Sequence, residues 1–165
     1  GVETRMKLYI MRHGEAHYPK GSYSDRERRL TPEGEREVLT TTRWLVERHR
    51  EVDCVFVSPY LRAQQTATVL FSELKTKHRE NCDAITPDGH AAAVVSWLAA
   101  EIETHGYETV VLVSHMPLVS YLVHELDASV QPPIFPTAGI AVIEFSPKTL
   151  TGKFQQLMIA EKCAG

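Results

Sequence analysis

Runs of apolar residues alternate with amphipathic segments along most of the chain. The runs at 6–11, 54–57 and 110–113 are apolar at nearly every position, which is typical of strands buried on both faces of a sheet. Two later apolar segments, 138–145 and 153–159, flank a turn and predict a hairpin. Strands that alternate with helices imply an α/β fold: a three-layer sandwich with a mainly parallel central sheet and a C-terminal antiparallel hairpin.

Segments between these runs have the apolar spacing of helices. Thr31 and Pro32 are residue types that favour a helix cap and the first helical position, and Ser58 and Pro59 repeat that signal. Arg62 is therefore predicted to lie in the first turns of the second helix. The predicted helices are 31–49, 58–74, 94–102 and 118–126, and the predicted loops are 17–30 and 131–137.

The ends of the three buried runs carry residues that suit a phosphate site. The first run is followed by Arg12, His13 and Gly14, the second leads to Arg62, and the third to His115. Arginine presents a planar fork to phosphoryl oxygens, and neutral histidine is a nucleophile. Glycine permits a sharp turn and a close ligand. Because ligands bind at the carboxyl ends of parallel strands, where helix N-termini attract anions, we predict a phosphate pocket containing a histidine.

Each of these residues also has a structural interpretation. Arg12 and Arg62 could be solvated side chains, and His115 could be a hydrogen-bonded structural histidine. The convergence of three strand ends favours a functional role for all of them. We expect the other histidines to be structural or solvent-facing, with His49 and His124 in helices and His78 and His105 in polar connections.

A metallohydrolase is the first alternative, because His13 and His17 have the i, i+4 spacing of a helical metal pair. The preceding strand and Gly14 disfavour a helix there, and no carboxylate cluster of suitable spacing joins the pair. We therefore predict an enzyme that needs no metal or other cofactor and keeps its activity in chelator.

Composition fits an ordinary globular protein. Of the 165 residues, 43% are hydrophobic and 24% are charged, so we expect one domain over 1–165. Residues 1–5 precede Met6 and are the candidate for a non-native extension. The net charge of −3 disfavours a nucleic-acid-binding protein.

The cysteines and the apolar stretches indicate where in the cell the protein is expected. Cys54, Cys82 and Cys163 are odd in number and widely spaced, which favours a reducing compartment. No apolar stretch has membrane-spanning length, and no secretory signal opens the chain. We therefore expect a cytoplasmic monomer with no membrane or nucleic-acid partner.

Five short segments occur here in an order and with flanking residues that match one family; they are 12–14, 30–34, 58–66, 114–119 and 132–135. In these segments the chain resembles the histidine phosphatase superfamily, the phosphoglycerate-mutase-like group with an Arg-His-Gly signature. More narrowly, it is similar to the bacterial phosphohistidine phosphatases. The resemblance extends from about Met6 to near the C-terminus.

The resemblance implies a two-step transfer. His13 takes the phosphoryl group and water then hydrolyses the phosphohistidine. Arg12, Arg62 and His115 hold the equatorial oxygens, where charge gathers in the transition state, so that a phosphate-like anion is the expected ligand.

Two further site residues follow from the resemblance. Arg28 matches an auxiliary phosphate ligand in an Asp-x-x-Arg-x-Leu-Thr pattern at 25–31, although Arg29 stands where proline is common. Asp88, with His90 behind it, is the nearest candidate for a proton donor.

The leaving group distinguishes the substrate classes. Related sugar and glycerate phosphatases protonate an alkoxide with a carboxylic acid beside an inserted helical lid. The stretch between Arg62 and His115 is short for such a lid, and no glutamate stands in the expected surroundings. Imidazole, with a pKa of about 6.5, leaves more readily than an alkoxide.

The resemblance therefore implies a phosphohistidine substrate, carried by the histidine-containing phosphotransfer domain of a hybrid sensor kinase. Small phosphomonoesters are one alternative substrate class. The other alternative is a catalytically silent module that binds phosphate or a phosphoprotein on the same fold, although the nucleophile His13 would then have no purpose.

Overall fold

The computed structural model describes residues 5–19, 21 and 24–163, so that only Arg5 of the candidate extension at 1–5 lies within it. The described elements are β1 (Met6–Arg12), α1 (Pro32–Arg48), β2 (Glu51–Val57), α2 (Leu61–Glu73), β3 (Lys75–Asn81), α3 (Ala91–His105), β4 (Thr109–Ser114), α4 (Leu118–Leu126), β5 (Ile140–Ser146), β6 (Thr151–Met158) and α5 (Ala160–Cys163), with 3-10 turns at Asp25–Glu27 and Asp83–Ile85. None of these helices has the length and apolar character needed to cross a membrane.

The strands form a single mixed sheet in the order β3-β2-β4-β1-β5-β6. The strands β3, β2, β4 and β1 are mutually parallel, while β5 is antiparallel to β1 and β6 to β5. This confirms the predicted sandwich, in which a mainly parallel sheet ends in an antiparallel hairpin.

The central strands are continuously apolar because both faces of the sheet are covered. Ile10 and Leu112 pack into the layer of α3 and α4, while their neighbours Met11 and Val113 pack into the layer of α1 and α2. All four side chains are fully buried. The buried runs of the sequence are therefore the middle layer of the sandwich.

The two predicted helix starts have different outcomes. Thr31 caps α1 as predicted, since its hydroxyl accepts a hydrogen bond from the backbone of Gly34 at 2.9 Å. The prediction that Ser58 caps α2 is wrong, because that helix begins at Leu61 after Tyr60. The backbone of Ser58 still donates a hydrogen bond to β4, so the chain remains extended there.

The edge strand β3 was missed by the sequence pattern. Its side chains are almost all polar and exposed, since an edge strand is held by backbone hydrogen bonds to β2 alone. His78 lies in this strand and His105 is the last residue of α3, so placing both in connections was wrong.

Three strand ends meet at one edge of the sheet. Arg12 at the end of β1 is in register with Ser114 at the end of β4, and Val57 at the end of β2 with Val113. Between α2 and β4 the described chain contains only β3, a 3-10 turn and α3, and therefore no large helical lid, as predicted.

Candidate active site

His13 follows β1 directly and lies in the interior of the site. Its Nδ1 is 2.6 Å from the carbonyl oxygen of Gly14, and because a carbonyl only accepts, Nδ1 carries the ring hydrogen. Nε2 therefore has a free electron pair, which accepts a hydrogen bond from Nε of Arg62 at 3.2 Å. Burial, reinforced by the nearby arginines, lowers the pKa of His13 to about 3. His13 is thus a neutral imidazole with an unprotonated Nε2.

The backbone around His13 is anchored on three sides. Its N–H donates to the carbonyl of Ser114 at 3.0 Å, and its own carbonyl accepts from Ala138 at 2.9 Å. The next N–H, that of Gly14, donates to the hydroxyl of Thr66 on α2 at 3.1 Å. The backbone that carries the imidazole is therefore held by β4, by the loop before β5 and by α2.

Gly14 is needed for a reason other than the predicted turn or ligand contact. A Cβ at this position would lie 2.7 Å from both the carbonyl oxygen of Gly34 and a methyl of Val38. Both atoms belong to α1, so the missing side chain allows this helix to pack directly behind His13.

Arg62 is the second residue of α2, as its sequence position predicts, and is 3% exposed. Its two terminal nitrogens donate to Asp25, one to the carbonyl oxygen at 2.7 Å and one to the carboxylate at 3.2 Å. Burial lowers the pKa of Arg62, and the charge of Asp25 opposes that shift. Asp25 therefore holds the outer edge of a guanidinium whose Nε faces His13.

Arg12 and Arg28 line the same cavity of about 540 Å³ with His13. Arg12 donates from Nη1 to the carbonyl of Phe135 at 2.7 Å, and its Nε is buried with no partner among the described residues. Arg28 donates to the carboxylate of Asp25 at 3.2 Å. The structure thus places the predicted auxiliary arginine beside the main ones.

His115 completes the group. Its ring centroid is 5.1 Å from that of His13, and its Nε2 is 2.6 Å from the hydroxyl oxygen of Ser58. Its Nδ1 is buried without a partner in the described part of the chain. Burial, followed by His13 and the arginines, lowers the pKa of His115 to about 2, so this ring is also neutral.

Together these groups form an arginine-rich site with unsatisfied polar atoms. Arg12, Arg28 and Arg62 supply the charge, since guanidinium groups remain protonated in proteins. The free N–H of Arg12 and the free Nδ1 of His115 are polar atoms whose burial is costly without a partner. Phosphoryl oxygens would satisfy polar atoms of this kind, and the unprotonated Nε2 of His13 lies in the same group.

The predicted proton donor is not brought into this group. Asp88 is exposed, and its carboxylate accepts a hydrogen bond from the hydroxyl of Thr86 at 3.2 Å. His90 caps α3, with Nδ1 accepting from the backbone of Ala93 at 3.3 Å. No described hydrogen bond or ion pair joins either side chain to His13.

Three residues of the site were missed as functional candidates. Glu15 lines the cavity, where its carboxylate accepts from the hydroxyl of Thr31 at 3.2 Å. Asp25 orients Arg62, and Ser58 contacts His115. Available signals were the position of Glu15 directly after the Arg-His-Gly signature and that of Asp25 at the start of the pattern around Arg28.

The metal alternative required a helix over residues 13–17. These residues are extended or irregular, with an isolated bridge from Ala16 to Leu30. The side chain of His17 is exposed, and its carbonyl accepts from Arg28. Within 5–19, 21 and 24–163, no group of three or more His, Cys, Asp or Glu side chains could hold a metal ion.

The fold and the arginine–histidine site agree with the class that the sequence comparisons define. Residues 8–85 match the model of the histidine phosphatase superfamily (branch 1). The chain belongs to this superfamily and is a phosphatase by class.

Within the superfamily, the chain is similar to SixA proteins. It is 37% identical over 139 residues to phosphohistidine phosphatase SixA of Escherichia coli (strain K12), covering 84% of each chain. It is 37% identical over 145 residues to the SixA homolog of Haemophilus influenzae, covering 82% of this chain and 86% of the homolog. The solved structure of protein histidine phosphatase SixA with tungstate superposes with a TM-score of 0.88 at 35% identity, over 95% of this chain and 99% of that one. The predicted resemblance is confirmed.

Proposed function

We propose that this protein is a metal-independent phosphohistidine phosphatase that dephosphorylates the histidine-containing phosphotransfer domain of a hybrid sensor kinase in the cytoplasm. The observation that carries the proposal is the state of His13. Its Nδ1 hydrogen is bound by the Gly14 carbonyl, and its unprotonated Nε2 accepts a hydrogen bond from Arg62 at 3.2 Å. A buried histidine held unprotonated among arginines is arranged to attack phosphorus.

In the first step, Nε2 of His13 attacks phosphorus in line with the bond to the substrate imidazole. The new N–P bond forms as the old one breaks, and the electron pair stays on the leaving imidazole, which is protonated from solvent. For this attack Arg62 turns its Nε–H from His13 to a phosphoryl oxygen, which frees the electron pair of Nε2 for the new bond. Arg12 and His115 bind the other oxygens.

In the second step, water attacks phosphorus from the side that the substrate imidazole has left. The bond to Nε2 breaks, its electron pair returns to the ring of His13, and inorganic phosphate is released with the proton of water. The Gly14 carbonyl keeps the ring in one orientation during both steps, so most of the catalysis is positioning and charge stabilisation.

A phosphate-like ligand is also supported by the comparisons. Tungstate is bound in the solved SixA structure, which covers nearly the whole of this chain. A tetrahedral oxyanion of this size suits the cavity lined by Arg12, His13 and Arg28.

The mouth of the cavity supports a protein substrate. Tyr18 lines the cavity and is 82% exposed, while Ile134 is 83% exposed and precedes the residue whose carbonyl holds Arg12. Single exposed apolar residues are common, but one of these two lines the cavity and the other is next to the residue that holds Arg12. We call this pair the mouth of the site, and propose that it contacts the surface around a phosphohistidine.

Small phosphomonoesters are the second candidate because of Glu15. An alkoxide leaving group needs a proton, and this carboxylate lines the cavity. A phosphohistidine does not need such an acid, since imidazole is a good leaving group.

The test compares the rate of hydrolysis of the proposed protein substrate with the rates on small phosphorylated compounds. Purified protein and its His13→Ala variant are incubated with a phosphorylated phosphotransfer domain, with phosphoramidate and with a panel of phosphomonoesters, each with and without chelator. We expect the highest kcat/KM on the phosphotransfer domain, no effect of chelator and no turnover by the variant. Faster turnover of the panel would overturn the substrate, and loss of activity in chelator would overturn the metal-independent mechanism.

A further inference from the structure

Ser58 occupies a fixed position behind His115. It is fully buried at the end of β2. Its N–H donates to the carbonyl of Val113 at 3.0 Å, and its carbonyl accepts from the amide of Gln64 at 2.8 Å. The backbone hydrogen bond to β4 keeps the hydroxyl directed at the His115 ring.

The hydrogen bonds of this hydroxyl can be counted. Its oxygen accepts from the backbone N–H of Tyr60 at 3.3 Å and lies 2.6 Å from Nε2 of His115. Within the described part of the chain, the hydroxyl has no other hydrogen bond. A hydroxyl has one hydrogen to donate, so donation to Nε2 is the arrangement that leaves this buried hydrogen satisfied.

The alternative tautomer of His115 would have less favourable contacts at both ring nitrogens. If Nε2 carried the hydrogen, the hydroxyl hydrogen of Ser58 would be buried without an acceptor. Nδ1 would then present a lone pair instead of a donor, and a lone pair repels the oxygens of an incoming phosphate.

The tautomer matters because His115 is neutral. A protonated imidazole donates from both nitrogens, but a neutral one has a single N–H. Burial and the surrounding positive charges of Arg12, Arg28 and Arg62 keep the ring neutral. Only the tautomer with hydrogen on Nδ1, the buried and unpartnered atom, can donate to a phosphoryl group bound at His13, whose ring centroid is 5.1 Å from that of His115.

We propose that Ser58 is a positioning residue, which donates its hydroxyl hydrogen to Nε2 of His115 and thereby fixes the Nδ1–H tautomer that binds the transferring phosphoryl group. The ligand in this statement rests on the proposed function, whereas the tautomer itself does not.

The direct test is a nitrogen–hydrogen correlation spectrum of the isotope-labelled histidine rings in the ligand-free protein. The His115 signals are assigned by their loss in His115→Gln. In wild type we expect a protonated Nδ1 and an unprotonated Nε2 on both His115 and His13. In Ser58→Ala, the pattern of His115 should change to a mixture of tautomers, while that of His13, fixed by the Gly14 carbonyl, should not.

Kinetics and a matched control complete the experiment. Ser58→Ala should lower kcat by less than the roughly 10²–10³-fold loss expected for deleting a transition-state donor, with KM nearly unchanged. Ser58→Thr keeps the hydroxyl and should restore the wild-type tautomer. Gln64→Ala removes the other side-chain contact to Ser58, at its carbonyl, and should leave the tautomer and kcat unchanged.

The outcomes separate this inference from the proposed function. A wild-type spectrum with hydrogen on Nε2 of His115 would overturn the role of Ser58 even in an active phosphatase, and so would an unchanged His115 pattern in Ser58→Ala. An inactive wild type with the expected spectrum would overturn the function and leave the hydrogen-bond assignment standing. The wild-type spectrum decides the matter even where Ser58→Ala does not fold.

Discussion

The interior of the site and its mouth are built in opposite ways. His13, Arg62 and His115 are no more than 5% exposed, and each is oriented by a hydrogen bond to a neighbouring residue. Tyr18 and Ile134 at the mouth are more than 80% exposed. The interior is therefore preorganised for reaction at phosphorus, while the mouth is free to contact whatever carries the phosphoryl group. Changes inside should reduce kcat on every substrate, and changes at the mouth should affect only a protein substrate.

The largest effect is expected from His13→Ala. The variant lacks the nucleophile, so turnover should be abolished on the phosphotransfer domain and on small substrates alike. Steady-state assays measure the loss, and circular dichroism checks that the fold is retained. A folded variant with full activity would contradict the covalent mechanism.

The next largest effects are expected from the groups that bind the oxygens. Arg62→Ala and His115→Ala should each lower kcat by roughly 10²–10³, the scale of one lost transition-state donor. Arg62→Lys should not restore the rate fully, because a point charge does not replace the planar fork that faces His13 and Asp25. Vanadate titration provides the check, and equal binding to wild type and Arg62→Ala would contradict the placement of the pocket.

A smaller and selective effect is expected at the mouth. Ile134→Asp should raise KM for the phosphotransfer domain by about tenfold, which corresponds to about 1.4 kcal/mol of contact energy. Its kcat/KM on phosphoramidate should not change. Leu150→Asp is the matched control, since Leu150 is also exposed but lies in the β5–β6 turn at the opposite end of the sheet. Equal effects of both variants would remove the argument for a docking role.

The buried histidines should also make stability depend on pH. The native pKa values of His13 and His115 are lowered to about 3 and about 2, whereas an unfolded histidine titrates at about 6.5. Below about pH 6.5 the unfolded chain binds protons that the native protein does not, so stability falls from there towards about pH 3. Each histidine contributes a slope of up to about 1.4 kcal/mol per pH unit.

Urea unfolding of wild type and His13→Ala at pH 7, 6 and 5 measures this contribution, in a buffer free of phosphate. The variant should lose stability less steeply as the pH falls, because it has one fewer suppressed histidine. Identical slopes would show that His13 is not held neutral in the native protein.

The smallest effect is expected from Asp88→Asn. Its carboxylate is exposed and bonded to Thr86, so hydrolysis of phosphohistidine should barely change. Glu15→Gln, at the cavity, should slow an alkyl phosphomonoester more than it slows phosphohistidine, because only the alkoxide needs a proton. A loss from Asp88→Asn as large as that from His13→Ala would identify Asp88 as the general acid and favour small esters as substrates.

The part of the fold that was predictable from sequence is the part governed by local burial. The runs that become β1, β2 and β4 are apolar because both faces are covered, and the residues that follow them fall at one sheet edge by topology. That rule alone brings Arg12, His13 and His115 together. β3 carries no such signal, because an edge strand needs only backbone partners.

The supporting contacts of the site were not predictable, because they join distant parts of the chain. Asp25 and Arg62 are 37 residues apart, and Ser58 and His115 are 57 apart. A serine followed by proline has the local pattern of a helix cap, and only the backbone pairing with β4 turns Ser58 towards His115 instead. Sequence patterns identified the residues that we propose to bind phosphate, but the residues that orient them required the fold.

The most direct test of the central claim is to trap the phosphorylated protein. Wild type is mixed with a substrate whose phosphoryl group is radiolabelled, quenched during turnover in denaturant at high pH, and digested to locate the label. An acid-labile, base-stable phosphoryl group on Nε2 of His13, absent from His13→Ala, is the expected result. Turnover at the full rate with no labelled protein, or with the label on another residue, would contradict it.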